Sequence, residues 1–198
     1  EVQIVRGAID YRGREIQALD EDQVKNAAAK ISERGYRKVA VASKFGQRNH
    51  SHEEKMREIV LAVSPGIQVE MGHRASGRLN FPRRMATTML KIAAQDRYRE
   101  FAREIAEAIS KRKIEAPIYI LKADGGTLPL ETSVEYPVET IFSGPAASTM
   151  GVLALTPPGQ TSVVVDIGGT TTDLALILDG VPLMSSEGAK VNSYLTHI

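Results

Sequence analysis

The spacing of apolar residues changes several times along the chain, and each change marks an element. Residues 2–9 have the composition of a strand, and Tyr11-Arg12-Gly13 that of a turn. Val24, Ala27, Ala28 and Ile31 then recur at the period of an amphipathic helix. Asp20 sits at the N-cap position, Gln23 completes a capping box, and Gly35 stands where such a helix ends. Residues 38–45 predict a short strand centred on Val39-Ala40-Val41. Ser51 and Glu54 suggest a second capping box ahead of Met56, Ile59, Val60 and Val63 on one helical face; Pro65-Gly66 stops that helix. Residues 67–71 read as the next strand.

Asn80 and Pro82 suit the start of a long helix reaching about Lys113. Met85, Met89, Ile92, Phe101, Ile105 and Ile109 mark its expected buried face; the phase weakens at Gln95 and Asp96, which predicts a bend or break. Residues 118–121 read as a strand and Asp124-Gly125-Gly126 as a turn. Residues 138–142 read as another strand, ending at the helix start Ser143-Gly144-Pro145. That helix runs to about Leu155, with Thr156-Pro157-Pro158-Gly159 as a linker. Strands alternating with helices up to residue 115 predict an α/β layer fold with parallel pairing.

Composition narrows the class. Among 198 residues, 42% are hydrophobic and 25% charged, enough for a sizeable core in one large domain or two small ones. The formal net charge of +1 gives no reason to expect a polyanionic partner. There is no cysteine, which excludes disulfides and thiolate metal sites and fits a cytoplasmic setting. No apolar run has membrane-spanning length, and the first residues resemble a strand, not a signal peptide. The chain begins without Met and is expected to be cut from something longer.

The densest chemistry lies at residues 163–180. An apolar strand ends at Asp166-Ile167, Gly168-Gly169-Thr170-Thr171-Thr172 forms a turn, and a second apolar strand leaves from Asp173. Two glycines admit a phosphate close to the main chain, successive amides can form an anion-binding nest, and the threonines add hydroxyl donors. If Gly168 to Thr171 form a four-residue loop, Ile167 pairs with Thr172 and Asp166 lies opposite Asp173 on one face. Like charges so placed disfavour the fold unless a cation or donors compensate. A phosphate-bound Mg²⁺, usually held by one or two carboxylates plus water, would do so. The alternative is a plain hairpin with a glycine-rich turn and an exposed aspartate at each end. Neither G-x-x-x-x-G-K-[ST] nor G-x-G-x-x-G occurs.

Asp166-Ile-Gly-Gly-Thr-Thr-Thr-Asp173 resembles the phosphate loop of the actin, sugar kinase and Hsp70 superfamily. Earlier segments narrow the resemblance: Asp124-Gly125-Gly126, then Pro137-Val-Glu-Thr-Ile-Phe-Ser143-Gly144-Pro145-Ala146-Ala147, in fixed order before the loop. Together they resemble the hydantoinase A/5-oxoprolinase family, which includes the acetone carboxylase β-subunit type. Asn49-His50-Ser51-His52-Glu53 fits the family's N-P-x-H-E stretch, with His50 in place of proline. The resemblance is loose from Gly72 to Arg112.

The resemblance implies an actin-like (ribonuclease H-like) α/β ATPase fold with a mixed sheet and flanking helices. It implies an ATP-dependent cyclic-amide hydrolase, or a carboxylase, using ATP and Mg²⁺ and activating a ring carbonyl by phosphoryl transfer. Gly168, Gly169, Thr170, Thr171 and Thr172 would cradle phosphate, and Asp166 and Asp173 would be catalytic, positioning Mg²⁺ or its waters. Ser143 would cap the next helix, whose amides with Gly144 would face an anion. Implied partners are a small cyclic amide and a second hydantoinase-type subunit or another copy of the chain, with no membrane and nucleic acid disfavoured. The family's additional G-G-T-x-T-D loop near its N-terminus is missing. The chain is therefore expected to be an internal fragment truncated at both ends and inactive alone. Residues 1–115 would be the later part of a first lobe, and 116–198 a connecting segment and the start of a second lobe.

Other features have plainer readings. His50 and His52 read as a solvated helix start, since no third ligand lies nearby. Asp124 is either a turn residue or catalytic. The basic stretch 82–113 reads as a solvated face with i,i+4 ion pairs, and Met85 and Met89 as core. Two rival functions remain: a sugar or acid kinase of the same superfamily, and a non-catalytic binding module whose basic helix contacts a partner or RNA through Arg83 and Arg84.

Overall fold

The computed structural model describes every residue from Glu1 to Ile198. The chain divides into two units, Glu1–Asp96 with Ala189–His197, and Arg97–Gly188 with Ile198.

In the first unit the expected strand at 2–9 shrinks to β1 (Ala8–Ile9), paired antiparallel with β2 (Glu15–Gln17). Val2 and Ile4 are exposed and have no strand beside them, so their β-propensity is not realised. Helix α1 (Glu21–Glu33) starts at Asp20, whose carboxylate accepts from the Gln23 amide at 3.0 Å. The box is not closed reciprocally, because the Gln23 side chain accepts from the Arg6 amide instead. Strand β3 (Lys38–Val41), helix α2 (Ser51–Val63) and strand β4 (Gln68–Met71) form a β-α-β unit. The two strands pair in parallel from Lys38↔Gln68 to Val41↔Met71. Val24 and Ala28 of α1 meet Met56, Ile59 and Val60 of α2 and Val41, Ile67 and Met71 in one core. The expected Ser51/Glu54 box does not form: His50 is the N-cap without a side-chain bond, and Asn49 accepts from the Ser51 amide at 3.0 Å.

After the short α3 (Gly72–Ala75), helix α4 (Phe81–Lys111) runs through Gln95 and Asp96 without the expected break. Its buried face differs from the expectation. Met89 is 47% and Phe101 44% exposed, whereas Ala86, Thr87, Thr88, Lys91, Ile92, Gln95 and Ala102 are buried. Small and polar residues on the inner face blur the periodicity of large apolar ones.

The second unit carries a hairpin of β5 (Tyr119–Leu121) and β6 (Thr127–Pro129), turned at Asp124–Gly126 with Gly125 at φ +81°. Helix α5 (Leu130–Ser133) follows. The strand expected at 138–142 is instead a 3₁₀ turn, Pro137–Thr140. Pro137 suits the start of such a turn, Thr140 Oγ1 donates to its carbonyl, and the Glu139 carbonyl accepts from the Ala123 amide. Helix α6 (Ser143–Leu155) packs on the sheet β7 (Ser162–Ile167), β8 (Thr172–Leu178) and β9 (Val181–Pro182), which is antiparallel in that order. Val164 and Ile177 are buried, whereas Val163, Val165, Ile167, Leu174 and Leu176 on the alternate positions are exposed. A last antiparallel pair, β10 (Lys190–Val191) with β11 (Tyr194–Leu195), lies within the segment that returns to the first unit.

Candidate functional site

The β7–β8 hairpin has the register expected from the sequence. Ile167 pairs with Thr172, and Asp166 stands directly opposite Asp173. Both aspartates occupy the sheet face that also carries Val164 and Ile177, since side chains alternate along a strand. Ser148 Oγ, from α6, donates to Asp166 Oδ2 at 2.5 Å. No hydrogen bond or ion pair engages the Asp173 carboxylate, and no Lys, Arg or His pairs with either aspartate. Two opposed carboxylates are therefore offset within the protein by one hydroxyl donor.

The loop itself is open. The Gly168 amide donates to the Thr171 carbonyl at 2.9 Å, while the amides of Gly169, Thr170 and Thr171 have no main-chain acceptor. The hydroxyls of Thr170, Thr171 and Thr172 are exposed and unengaged. Neither Gly168 nor Gly169 has a left-handed φ, so the turn does not need glycine for its backbone conformation. A Cβ at Gly169 would meet nothing within 4 Å. Open space above this residue, not chain geometry, is what glycine preserves, and that suits the approach of a bulky anion. No cluster of three or more His, Cys, Asp or Glu could cage a metal. The Asp166–Asp173 pair with the open loop amides is a donor set that fits Mg²⁺, which takes one or two carboxylates and otherwise water and phosphate oxygens.

The predicted residues Asp166, Gly168, Gly169, Thr170, Thr171, Thr172 and Asp173 thus gather on one hairpin. Ser143 and Gly144 do not cap as expected. Ser143 is the first residue of α6, and the N-cap is Phe142 in a left-handed conformation without a side-chain bond. The contact from this segment to the aspartates comes from Ser148, which sequence reasoning missed. Its only signal was a hydroxyl residue on a helix leading into the hairpin.

Asp124 is a turn residue. Its Oδ1 accepts from the Gly126 amide and its Oδ2 from Lys122 Nζ, both at 2.9 Å; the Lys122 bond, foremost, holds the carboxyl below its ordinary pKa. In the first unit, Glu53 is fully buried and organises the chain between β3 and α2. It accepts from the amide and hydroxyl of Ser43 and from the amide and Nδ1 of His73, whose ring stacks on His50 at 4.0 Å. A Cβ at Gly46 would collide with the Glu53 carboxylate. His52 is not solvated: it is buried, with Nε2 3.0 Å from Glu15. Arg84 is fully buried, donating to the carbonyls of Arg78, Ser43 and Lys44, and Lys91 is buried against Glu70. Two of the cations expected on a solvated face of α4 are thus used internally.

Comparison with known proteins agrees with the motif reading. The family model described as Hydantoinase/oxoprolinase matches residues 84–198, and that for the Hydantoinase/oxoprolinase N-terminal region matches residues 1–64. The α subunit of caprolactamase from Pseudomonas jessenii is 28% identical over 178 residues, 89% of this chain and 26% of that protein. Nucleotide-free acetone carboxylase, solved in work on ATP-dependent acetone carboxylation, superposes with a TM-score of 0.86 at 23% identity, over 98% of this chain and 28% of that one. The crystal structure of ATP-dependent caprolactamase from Pseudomonas jessenii gives a TM-score of 0.71 at 25% identity, over 88% and 26%. The chain spans about a quarter of the length of these relatives. With the two family models covering both of its halves, the chain belongs to the hydantoinase/oxoprolinase family.

Proposed function

We propose that this chain supplies one phosphate-binding hairpin of an actin-like, ATP-dependent enzyme that activates a carbonyl group, with a cyclic amide as substrate. The observation that carries the reading is the Asp166–Asp173 pair beside a loop with open space over Gly169 and free donors at Gly169, Thr170 and Thr171. The amides and threonine hydroxyls would receive the phosphate oxygens, as a backbone nest does. Asp166 and Asp173 would hold Mg²⁺ directly or through water. Bound there, Mg²⁺ would neutralise charge developing on the phosphates.

In the proposed reaction the amide carbonyl oxygen attacks the γ-phosphorus of ATP and ADP leaves. Water then adds at the activated carbon. The ring C–N bond then breaks as the nitrogen takes a proton, and the acyl phosphate so formed is hydrolysed by a second water to the open-chain acid and inorganic phosphate. The names of the relatives support ATP use, lactam opening in one case and ketone carboxylation in another. The name "subunit alpha" supports a partner subunit. In this reading, phosphoryl activation of a carbonyl would serve both branches.

The test is an ATPase assay of the full-length protein with its partner subunit, adding in turn hydantoin, 5-oxoproline, caprolactam and acetone with bicarbonate. Stimulation by a cyclic amide is expected. Stimulation by the ketone alone would move the protein to the carboxylase branch, and stimulation by none would overturn the reading.

A further inference from the structure

We propose that Ser148 is a positioning residue for the phosphate-bound cation, acting through Asp166; the inference rests on the reading of the hairpin given above. A serine or threonine inside a helix ordinarily turns its hydroxyl back to the carbonyl four residues earlier. Thr87, Thr88, Thr149 and Thr156 all do so, to Arg83, Arg84, Pro145 and Val152. Ser148, one residue before Thr149 on α6, does not: its hydroxyl leaves the helix and donates to Asp166 Oδ2. Asp166 is thereby the fixed member of the carboxylate pair, and Asp173, which has no partner, the adaptable one.

A carboxylate that ligates a cation is itself commonly hydrogen-bonded, and the bond selects its rotamer and the oxygen left for the metal. Here Oδ2 is occupied by the serine hydroxyl and Oδ1 is left for the cation. The donor also withdraws charge from a carboxylate facing another carboxylate, which keeps the pair together before the cation arrives. The positioning group is carried on α6, which packs on β7 and β8. The segment beginning Ser143-Gly144-Pro145 thus bears on the hairpin through its sixth residue, not through its first.

The test is Mn²⁺ binding to the full-length protein, titrated by electron paramagnetic resonance in the presence of a non-hydrolysable ATP analogue. Ser148→Ala should weaken Mn²⁺ about tenfold, the lower end of what loss of an outer partner costs. Ser148→Thr, which keeps the donor, should restore binding to within about threefold of the parent. Ser148→Cys, similar in shape but a weak donor, carries the same expectation as alanine should that variant fail to fold. Unchanged Mn²⁺ affinity in Ser148→Ala, or a threonine variant as weak as alanine, would overturn the role of Ser148. Asp166→Asn separates the two levels. If it abolishes Mn²⁺ binding while Ser148→Ala does not alter it, only Ser148 falls. If it binds Mn²⁺ as the parent does, the hairpin reading falls and this inference with it.

Discussion

Asp173→Asn should stabilise the ligand-free protein and remove its response to Mg·ATP. Asp173 faces Asp166 across the β7–β8 ladder and has no partner of its own. Opposed residues in an antiparallel pair hold their Cβ atoms about 4.5–5.5 Å apart. Two unit charges about 5 Å apart repel by about 0.8 kcal/mol in water and about 3 kcal/mol at an effective dielectric of about 20. Both aspartates are half-buried, at the mouth of an exposed loop, and Ser148 offsets part of the charge on Asp166. The lower figure therefore applies, and the variant should gain about 0.5–1 kcal/mol. In a protein of this size that is a rise of about 1–4 °C in Tm. The assay is thermal denaturation in EDTA and again with saturating Mg²⁺ and a non-hydrolysable ATP analogue. Parent protein should be stabilised by the ligand, by about 2.7 kcal/mol at a hundredfold excess over Kd, and the variant by far less. A variant less stable than the parent in EDTA would refute the electrostatic argument. A variant that gains as much as the parent from Mg·ATP would remove Asp173 from the site.

Gly169→Ala separates a binding loop from a merely permissive turn. A Cβ there meets nothing within 4 Å and the backbone is not left-handed, so denaturation should shift by less than about 0.5 kcal/mol. ATP affinity measured by calorimetry should nonetheless fall by about tenfold or more, because the methyl takes the space of a phosphate; unchanged affinity would refute the loop's role. His197 gives a pH test. Burial, then the charges of Arg78, Arg84 and Arg83, hold its imidazole below the ordinary histidine value, against a bond to the Leu79 backbone. The folded state then resists protonation, while the unfolded chain takes up a proton near pH ~6.5. Its contribution to stability is complete above about pH 6.5 and is lost as pH falls toward the depressed folded value. An NMR titration of the ring should report that depressed value, rising toward the ordinary one in Arg78→Gln/Arg83→Gln; a midpoint at or above the ordinary value would refute it.

How much of this could be read in advance depended on whether the deciding interactions were local. The hairpin was legible to its register because alternation, turn length and the two aspartates all lie within one short stretch. The β-α-β unit was legible because α2 carries its apolar face at a clean period between two apolar runs. Residues 2–7 and 138–142 failed because a strand needs a neighbour, which no local pattern supplies. Pro137 was the overlooked sign in the second case. The α4 phase failed because Thr87, Thr88 and Lys91 are buried with their polar groups satisfied.

Glu53 and Ser148 represent the deepest limit. The period of Met56 and Val60 places Glu53, not Glu54, on the inner face of α2, but nothing in the sequence says what its carboxylate would meet there; Glu53 ties the Ser43–Gly46 turn to His73 while Glu54 faces solvent. One residue of helical phase, 100°, separates the two, and the partners that make Glu53 an organiser come from the Ser43–Gly46 turn and from His73, beyond its own helix. Ser148 likewise differs from Thr149 only by its angle on α6, which turns one hydroxyl to the aspartate and the other back to its own helix. Motifs identify the residues that meet a ligand because those residues are contiguous in a loop. The groups that hold such residues in place come from other elements, and they are selected by phase and packing that only the folded chain resolves.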